Sequence, residues 1–267
     1  MDIRSRPRLA LTISPHPDDE ILGLGATLAL LLEQSWTMHN LACSLGHAED
    51  HERRLGELRT AGERFGFTST IMSPLAAIDR EDDLERAVAE VADAVSEHIA
   101  VHHPDVVVSP HLTDGHHGHE VVAGGVRTAL ERSTSGPIWW AYGIWNDLPR
   151  PNVFVPYDLP VLTRVMHALE AYEGENARSS YDLMYPARAV VNRTLGSERV
   201  FGFGTATASD RPYADLLTEL RHGESGWQYA APRMFDPSDA LRSSWLPDAV
   251  DWWVNQPSLR QQWSGDR

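Results

Sequence analysis

Leu9-Ala10-Leu11-Thr12-Ile13-Ser14-Pro15-His16-Pro17-Asp18-Asp19-Glu20 decides the reading of this chain, and it runs on into the apolar stretch Ile21 to Leu32. An apolar run with β-branched Thr12 and Ile13 reads as a buried strand. Pro17 holds His16 extended and suits the first turn of a helix, where its missing N–H costs nothing. His16 therefore closes a strand, and Asp18, Asp19 and Glu20 crowd a helix start, whose dipole favours ionised carboxylates by roughly 0.3–1 kcal/mol each. One imidazole and two or three carboxylates so close in sequence make half of a divalent-cation site. Taken alone, the same residues read equally well as a capped helix start.

Working outward, residues 8–15 form the first strand and 18–34 one helix. Met38–Leu45 is a second strand, and Glu52–Phe65 a helix with Leu55, Leu58, Ala61 and Phe65 at helical spacing. Gly66 ends it. Thr70–Met72 is a short strand, Glu81–Val101 a long amphipathic helix and Asp105–Ser109 a buried strand. This alternation argues for a parallel sheet with helices on both faces, a Rossmann-like α/β three-layer sandwich. Ligands of such sheets bind beyond the carboxyl ends of strands. Pro110-His111-Leu112-Thr113-Asp114-Gly115-His116-His117-Gly118-His119-Glu120 lies at one such end, before a helix over Glu120–Arg132. Its density of histidine, placed to match the acidic cluster, favours a functional loop over a merely solvated one.

Further on, Ile138–Trp145 is β-prone and Val153–Val155 is a short strand. Leu162–Glu175 reads as a helix, 176–185 has no clear pattern, Arg199–Phe203 reads as a last strand and Pro212–Arg221 as a short helix. The chain thus divides into one domain over 1–222 and an irregular C-terminal extension over 223–267 packed on it, with Trp227, Trp245, Trp252, Trp253 and Trp263 as anchors.

The 267 residues, 42% of them hydrophobic, suffice for one large core. A net charge of −15 repels phosphate backbones, so nucleic acid is not an expected partner. Every one of the 23 cationic side chains is arginine, which excludes a Schiff-base lysine and the lysine of a phosphate-binding loop. Cys43, the single cysteine, allows no internal disulfide and no cysteine-based zinc site. The start of the chain shows no signal-type stretch and no run spans a bilayer, so a cytoplasmic protein without a membrane partner is expected.

Imidazole plus carboxylate suits Zn²⁺ or Fe²⁺ better than Ca²⁺ or Mg²⁺. His16 and Asp19 reach one ion across the strand–helix turn, and His119 or His116 completes the set. Water on such an ion drops from a pKa of ~15.7 to roughly 7. Asp18 is the adjacent base, and His116 is placed to stabilise a developing oxyanion. The constellation fits hydrolysis of an amide or ester.

Ser14-Pro15-His16-Pro17-Asp18-Asp19-Glu20 resembles the signature of the PIG-L/LmbE-like zinc-dependent N-deacetylases, and His116-His117-Gly118-His119 is similar to that family's second motif, with His117 and Gly118 in place of its Pro and Asp. The resemblance implies one Zn²⁺ per chain, with Fe²⁺ as the alternative, held by His16, Asp19 and His119. It implies Asp18 as the base and His116 as the oxyanion or amine partner. It places Arg54 on the substrate, the competing reading being a solvated helix face. Asp114, two residues before His116, is expected to orient that histidine in the manner of supporting carboxylates at metal sites. The implied activity removes the N-acetyl group from an N-acetylglucosamine-type amino sugar in a small glycoside or natural-product intermediate. The alternatives are a zinc amidase of a larger, mycothiol-conjugate-type amide and a non-catalytic metal- or glycan-binding protein. A nucleotide-binding module is disfavoured, because Gly23-Leu24-Gly25 lies inside a helix and lacks the third glycine. The sequence carries no information on oligomeric state.

Overall fold

Successive residues of the first strand, β1 (Leu9–Ser14), point to opposite faces, and both faces are buried. Leu11 and Ile13 enter one apolar cluster, while Ala10 enters another on the far side. A strand apolar on both sides needs a covering layer on each. The computed structural model, which describes residues 6–78 and 84–246, supplies both layers. β1 pairs in parallel with β2 (Thr37–Ala42) on one side and β4 (Val106–Pro110) on the other. β3 (Thr68–Ile71) extends the first flank and β5 (Ile138–Tyr142) the second, giving the parallel order β3-β2-β1-β4-β5. Helices α4 (Leu84–His102) and α5 (His117–Arg132) pack together over Leu11, Ile13, Leu41 and Val107. On the other face lie α1 (Asp19–Leu22), α2 (Gly25–Glu33), α3 (His51–Phe65), α6 (Leu159–Leu169) and α8 (Tyr181–Phe201), with the short α7 (Glu173–Ser179) beside α3 and α8. The result is the expected α/β three-layer sandwich with a mostly parallel sheet.

Beyond β5 the sheet turns antiparallel. β7 (Tyr213–Gly223) pairs with β5 and with β8 (Gly226–Ala230), while its first half pairs with β6 (Val153–Tyr157). β9 (Arg233–Met234) joins β6, and β10 (Trp245–Leu246) closes the edge on β8. Residues 226–246 therefore add strands to this same sheet. Trp227 donates to Glu131 at 2.9 Å, and Trp245 lies under the Arg221 guanidinium at 4.4 Å. Trp252, Trp253 and Trp263 lie outside the described residues, as does the expected start of the Glu81 helix.

Four sequence expectations change. The helix expected over 18–34 breaks at Leu24 (φ −138°, ψ 35°) into α1 and α2. The Tyr142 ring presses on Gly23 so closely that a Cβ there would sit 2.6 Å from it. The helix expected over Leu162–Glu175 is two, α6 and α7. Arg199–Phe203 is no strand: Arg199 to Phe201 end the 21-residue helix α8, which runs through Pro186. Pro212–Arg221 is no helix but most of β7, because its helix-forming residues are clamped between β5, β6 and β8, and tertiary pairing overrides local preference.

Asp215, in that strand, ties it to α2. It accepts from Thr27 N at 2.9 Å and Thr27 Oγ1 at 2.8 Å, and Tyr185, itself an acceptor from Ala26 N, donates to it at 3.4 Å. Burial outweighs these bonds and pushes the Asp215 carboxyl up to about 6. The folded state then holds a proton that the unfolded chain has released, so this group's contribution to stability falls as pH rises from about 4 to 6. Asp215→Asn is expected to flatten that slope in urea denaturation midpoints; an unchanged slope would show that Asp215 folds ionised.

Gly196 in α8 tests how that helix seats. A Cβ there would meet the Phe154 ring at 2.7 Å, whereas at Gly56 in α3 none of the described residues lies within 4 Å. Gly196→Ala is expected to lose about 1–3 kcal/mol by overpacking, and Gly56→Ala to gain roughly 0.5–1 kcal/mol from helix preference. Denaturation curves that rank the two variants the other way contradict this packing.

Candidate active site

The chain leaves β1 through Ser14 and reaches Asp18 with φ 117° and ψ −34°, a left-handed conformation rare outside glycine. Three bonds from the first turn of α1 hold that backbone. Ile21 N and Leu22 N donate to Asp18 O at 3.0 and 2.9 Å, and Asp18 N donates to Glu20 Oε2 at 3.1 Å. The Asp18 side chain does not cap the helix and lies instead in the wall of a cleft. Strain of this kind gathers at functional positions. Asp19 Oδ2 turns back to accept from His16 N at 3.0 Å, which brings its carboxylate beside the His16 ring at 3.5 Å.

The second cluster leaves β4, the next strand. Helix α5 begins at His117, earlier than the expected Glu120, with His116 extended just before it and His119 in its first turn. His119 Nε2 lies 3.3 Å from Asp19 Oδ2, and its Nδ1 lies 2.8 Å from Asp114 Oδ2, so Asp114 stands against His119 and not against the expected His116, the turn from β4 into α5 bringing the later histidine over it. Fully buried Asp114 is fixed by accepting from Ile144 N at 2.8 Å, and His111 Nε2 lies 3.5 Å away. The His116 ring stands 4.7 Å from that of His119 and 5.8 Å, edge-on, from that of His16.

One donor atom from each of His16, Asp19 and His119 lies within 4.8 Å of the other two. Asp114 at Nδ1 leaves Nε2 of His119 for an ion, the arrangement that supporting carboxylates give metal-bound histidines. Two imidazoles and one carboxylate, nearly all buried, are a donor set for a borderline divalent cation. The residues present fit such an ion.

Burial pushes the Asp18 carboxyl well up, and Asp19, Glu20 and Glu175 add to it, against Arg54. Burial also resists ionisation of Asp19, but His119 and His16 outweigh it and hold that carboxyl well below the usual range. For His119 burial disfavours the cation, yet Asp19 and Asp114 together push the ring up to about 10. His116 goes the other way: burial, then His119 and His16, push it down to about 4, so its ring is neutral near pH 7. Burial lifts Glu20 to about 7 despite the hydrogen bond it accepts from the Tyr172 hydroxyl.

The cleft is a cavity of about 1100 Å³ opening over His16, Asp18, Asp19, His116 and His119. Arg54 lies in its wall, 9% exposed, with Nη2 2.7 Å from Glu175 Oε1 and a buried Nε that has no hydrogen-bond partner among the described residues. It is therefore not on a solvated face. Trp145, 49% exposed, stacks on His116 at 5.5 Å, whereas Trp139 and Trp140 are core residues. Gly118 packs under Ile78, whose Cδ1 would lie 3.3 Å from an added Cβ. Glu175, Tyr172, Arg178 and Tyr181 also belong to this region, and no sequence pattern points to them, because they come from the stretch of α6 to α8, where no motif marks them. His111 stands in the histidine-rich loop, where the sequence gives it no role. Cys43 is buried, its thiol pushed up to about 12 by burial and then Asp19, and it takes no part.

Residues 11–130 match the model of the PIG-L family, described as GlcNAc-PI de-N-acetylase, so the resemblance read from the two motifs holds. No curated protein matches the sequence significantly. Among solved structures, the chain is similar to GalB, the 4-carboxy-2-hydroxymuconate hydratase of Pseudomonas putida KT2440, at 20% identity and a TM-score of 0.56, over 79% of this chain and 95% of that one. It is similar to the zinc-inhibited form of teicoplanin deacetylase Orf2 at 16% identity and a TM-score of 0.60, over 81% of this chain and 99% of that one. It is also similar to N,N′-diacetylchitobiose deacetylase of Pyrococcus horikoshii at 14% identity and a TM-score of 0.56, over 79% and 83%. At these identities the likeness establishes the fold.

Asp114→Asn keeps an oxygen for Ile144 N while removing the charge beside His119. It is expected to weaken Zn²⁺ affinity about 10- to 100-fold, read by competition with a chromogenic chelator. Undiminished affinity would show that Asp114 does not support the His119 ring.

Proposed function

We propose that this chain is a metal-dependent hydrolase that removes the N-acetyl group from an N-acetylglucosamine-type amino sugar, releasing acetate and a free amine. The observation that carries the reading is the convergence of His16, Asp19 and His119 on one point, with Asp18 and His116 beside it in the cleft. The match to a family described as a GlcNAc-PI de-N-acetylase and the fold shared with a teicoplanin deacetylase and an N,N′-diacetylchitobiose deacetylase support it.

His16, Asp19 and His119 would hold the ion, Zn²⁺ or Fe²⁺. A divalent cation held there supplies Lewis-acid polarisation of the amide carbonyl and lowers the pKa of water from ~15.7 to roughly 7. Asp18 takes the proton of the attacking water. Burial and like-charged neighbours raise its carboxyl, which lets Asp18 hold that proton until it is passed on, and a cation on His16, Asp19 and His119 would offset the rise and keep it ionised beforehand. Neutral His116 offers a ring N–H to the oxygen on which negative charge develops, and Trp145 stacked on it limits its orientation. The proton held by Asp18 then goes to the departing amine nitrogen. Arg54, anchored by Glu175, faces sugar hydroxyls, and the exposed face of Trp145 offers a stacking surface at the cleft mouth. We place the reaction in the cytoplasm, on a soluble glycoside; no described helix is long and apolar enough to cross a membrane.

The test is a panel of N-acetylglucosaminides with the protein stripped by chelator and reloaded with Zn²⁺ or Fe²⁺. Equimolar acetate and amine are expected from at least one glycoside. Asp18→Asn should retain metal and lose about 10²–10⁴-fold in kcat, whereas His16→Ala and Asp19→Ala should lose the ion of the cleft. A metal-loaded chain that releases a larger acid, or that hydrates a carbon–carbon double bond and leaves every acetamide intact, contradicts the reading.

A further inference from the structure

Outside the cleft, one cluster of histidines has no part in the chemistry above. His98 and His102 stand four residues apart at the end of α4, which sets two imidazoles one above the other on one helix face. His39, on β2, meets them: its ring centroid lies 4.4 Å from that of His102 and 6.1 Å from that of His98, which are themselves 5.6 Å apart. One ring nitrogen from each lies within 4.8 Å of the other two.

We propose that His39, His98 and His102 form a second metal site, which takes a borderline transition-metal ion such as Zn²⁺, Co²⁺ or Ni²⁺ and staples α4 to the β2–β3 edge of the sheet. Paired histidines at this helical spacing, completed by a third ligand from elsewhere, are a recurrent transition-metal arrangement. The group contains imidazole alone, which selects against Mg²⁺ and Ca²⁺. Its rings are also braced from behind. His98 Nδ1 lies 2.9 Å from Ala94 O, so that nitrogen carries the proton and Nε2 the lone pair. His39 is held on β3 by Thr68 Oγ1 at 2.8 Å and Thr70 Oγ1 at 3.0 Å, and binding an ion exchanges one of these contacts while the other keeps the ring in place. Burial and the facing rings push His39 down to about 4, which leaves it neutral, as a ligand must be. The three rings are stacked. An ion held by all three would need them turned edge-on with the nitrogens about 3.3 Å apart, the separation set by a tetrahedral ion with bonds of about 2.0–2.1 Å. The half-buried positions of His98 and His102 leave room for that turn. His39 sits in register with Leu11 and Thr68, back along the strands, so this group and the one beyond the strand ends share no residue.

The experiment uses the full chain stripped by chelator and titrated with Zn²⁺ by calorimetry, with bound metal counted by elemental analysis. Wild type should take up two ions, His98→Gln one, and His16→Ala/Asp19→Ala one. Co²⁺ added to the double variant should give the visible absorption of a nitrogen-ligated ion, and Zn²⁺ should raise its Tm. His98→Gln placed on that background should weaken Zn²⁺ binding more than tenfold and remove the Tm gain, while His103→Gln on the exposed neighbour should change neither. Since His98 lies outside the cleft, His98→Gln should also keep wild-type turnover and fold. Equal stoichiometry in wild type and His98→Gln, or a His16→Ala/Asp19→Ala chain that binds no Zn²⁺, overturns the proposal. This outcome is independent of whether the cleft proves to cleave an acetamide.

Discussion

Three pairings hold the candidate site together: Ala10 with Val106, Leu11 with Val107 and Thr12 with Val108. They place β4 beside β1, although two other strands and the helices α1 to α4 lie between them in sequence. From β1 the chain builds outward through β2 to β3, then returns to the other flank of β1, and at that reversal neighbouring connections diverge and leave a crevice. The loop after β1 carries His16, Asp18 and Asp19; the loop after β4 carries Asp114, His116 and His119. No local interaction could bring them together, since 97 positions separate Asp19 from His116. The parallel sheet does so as a consequence of strand order, and its cost is a core sealed on both faces.

The convergence concentrates charge where solvent cannot relieve it. Asp18, Asp19, Glu20, Asp114 and His119 are all under 5% exposed. Buried like charges are tolerated only when partnered or neutralised. Asp19 and Asp114 are partnered by His119, Glu20 is bonded by Tyr172, and Asp18 is pushed towards its neutral form. A divalent cation among these carboxylates would relieve the same repulsion more completely. The strained Asp18 backbone belongs to the same account, because it turns that carboxylate away from the helix start it would otherwise cap and into the cleft.

The first half of the molecule was legible because its signals are local. Val106–Val108 are apolar on both faces, His16-Pro17-Asp18 marks a strand end and helix start together, and α3 and α4 keep helical spacing until glycine or histidine ends them. The site residues fell on those same junctions, so a pattern of residue types sufficed to propose them. What sequence could not supply was anything decided by distant partners. Residues 213–221 have the composition of a helix and become a central strand because three strands claim their backbone. Arg199–Phe203 looks extended in isolation and is helical as the last turn of α8, seated where Gly196 lets the helix approach Phe154. For Arg54 the sequence left a substrate contact and a solvated helix face both open, and the partner that draws it into the cleft wall, Glu175 of α7, is remote in sequence. The three histidines of β2 and α4 carried no signal, since His39 meets the other two only through the packing of a helix on a sheet edge.

In the proposed site, two loops joined only by the pairing of β1 with β4 share one cation. An anomalous difference map from crystals of the full chain grown with Zn²⁺, collected at the zinc edge, tests it most directly. A peak bonded at about 2.0–2.2 Å to His16, Asp19 and His119 together is expected. A cleft without that peak, or a zinc held by residues of one loop while the other turns away, would contradict it.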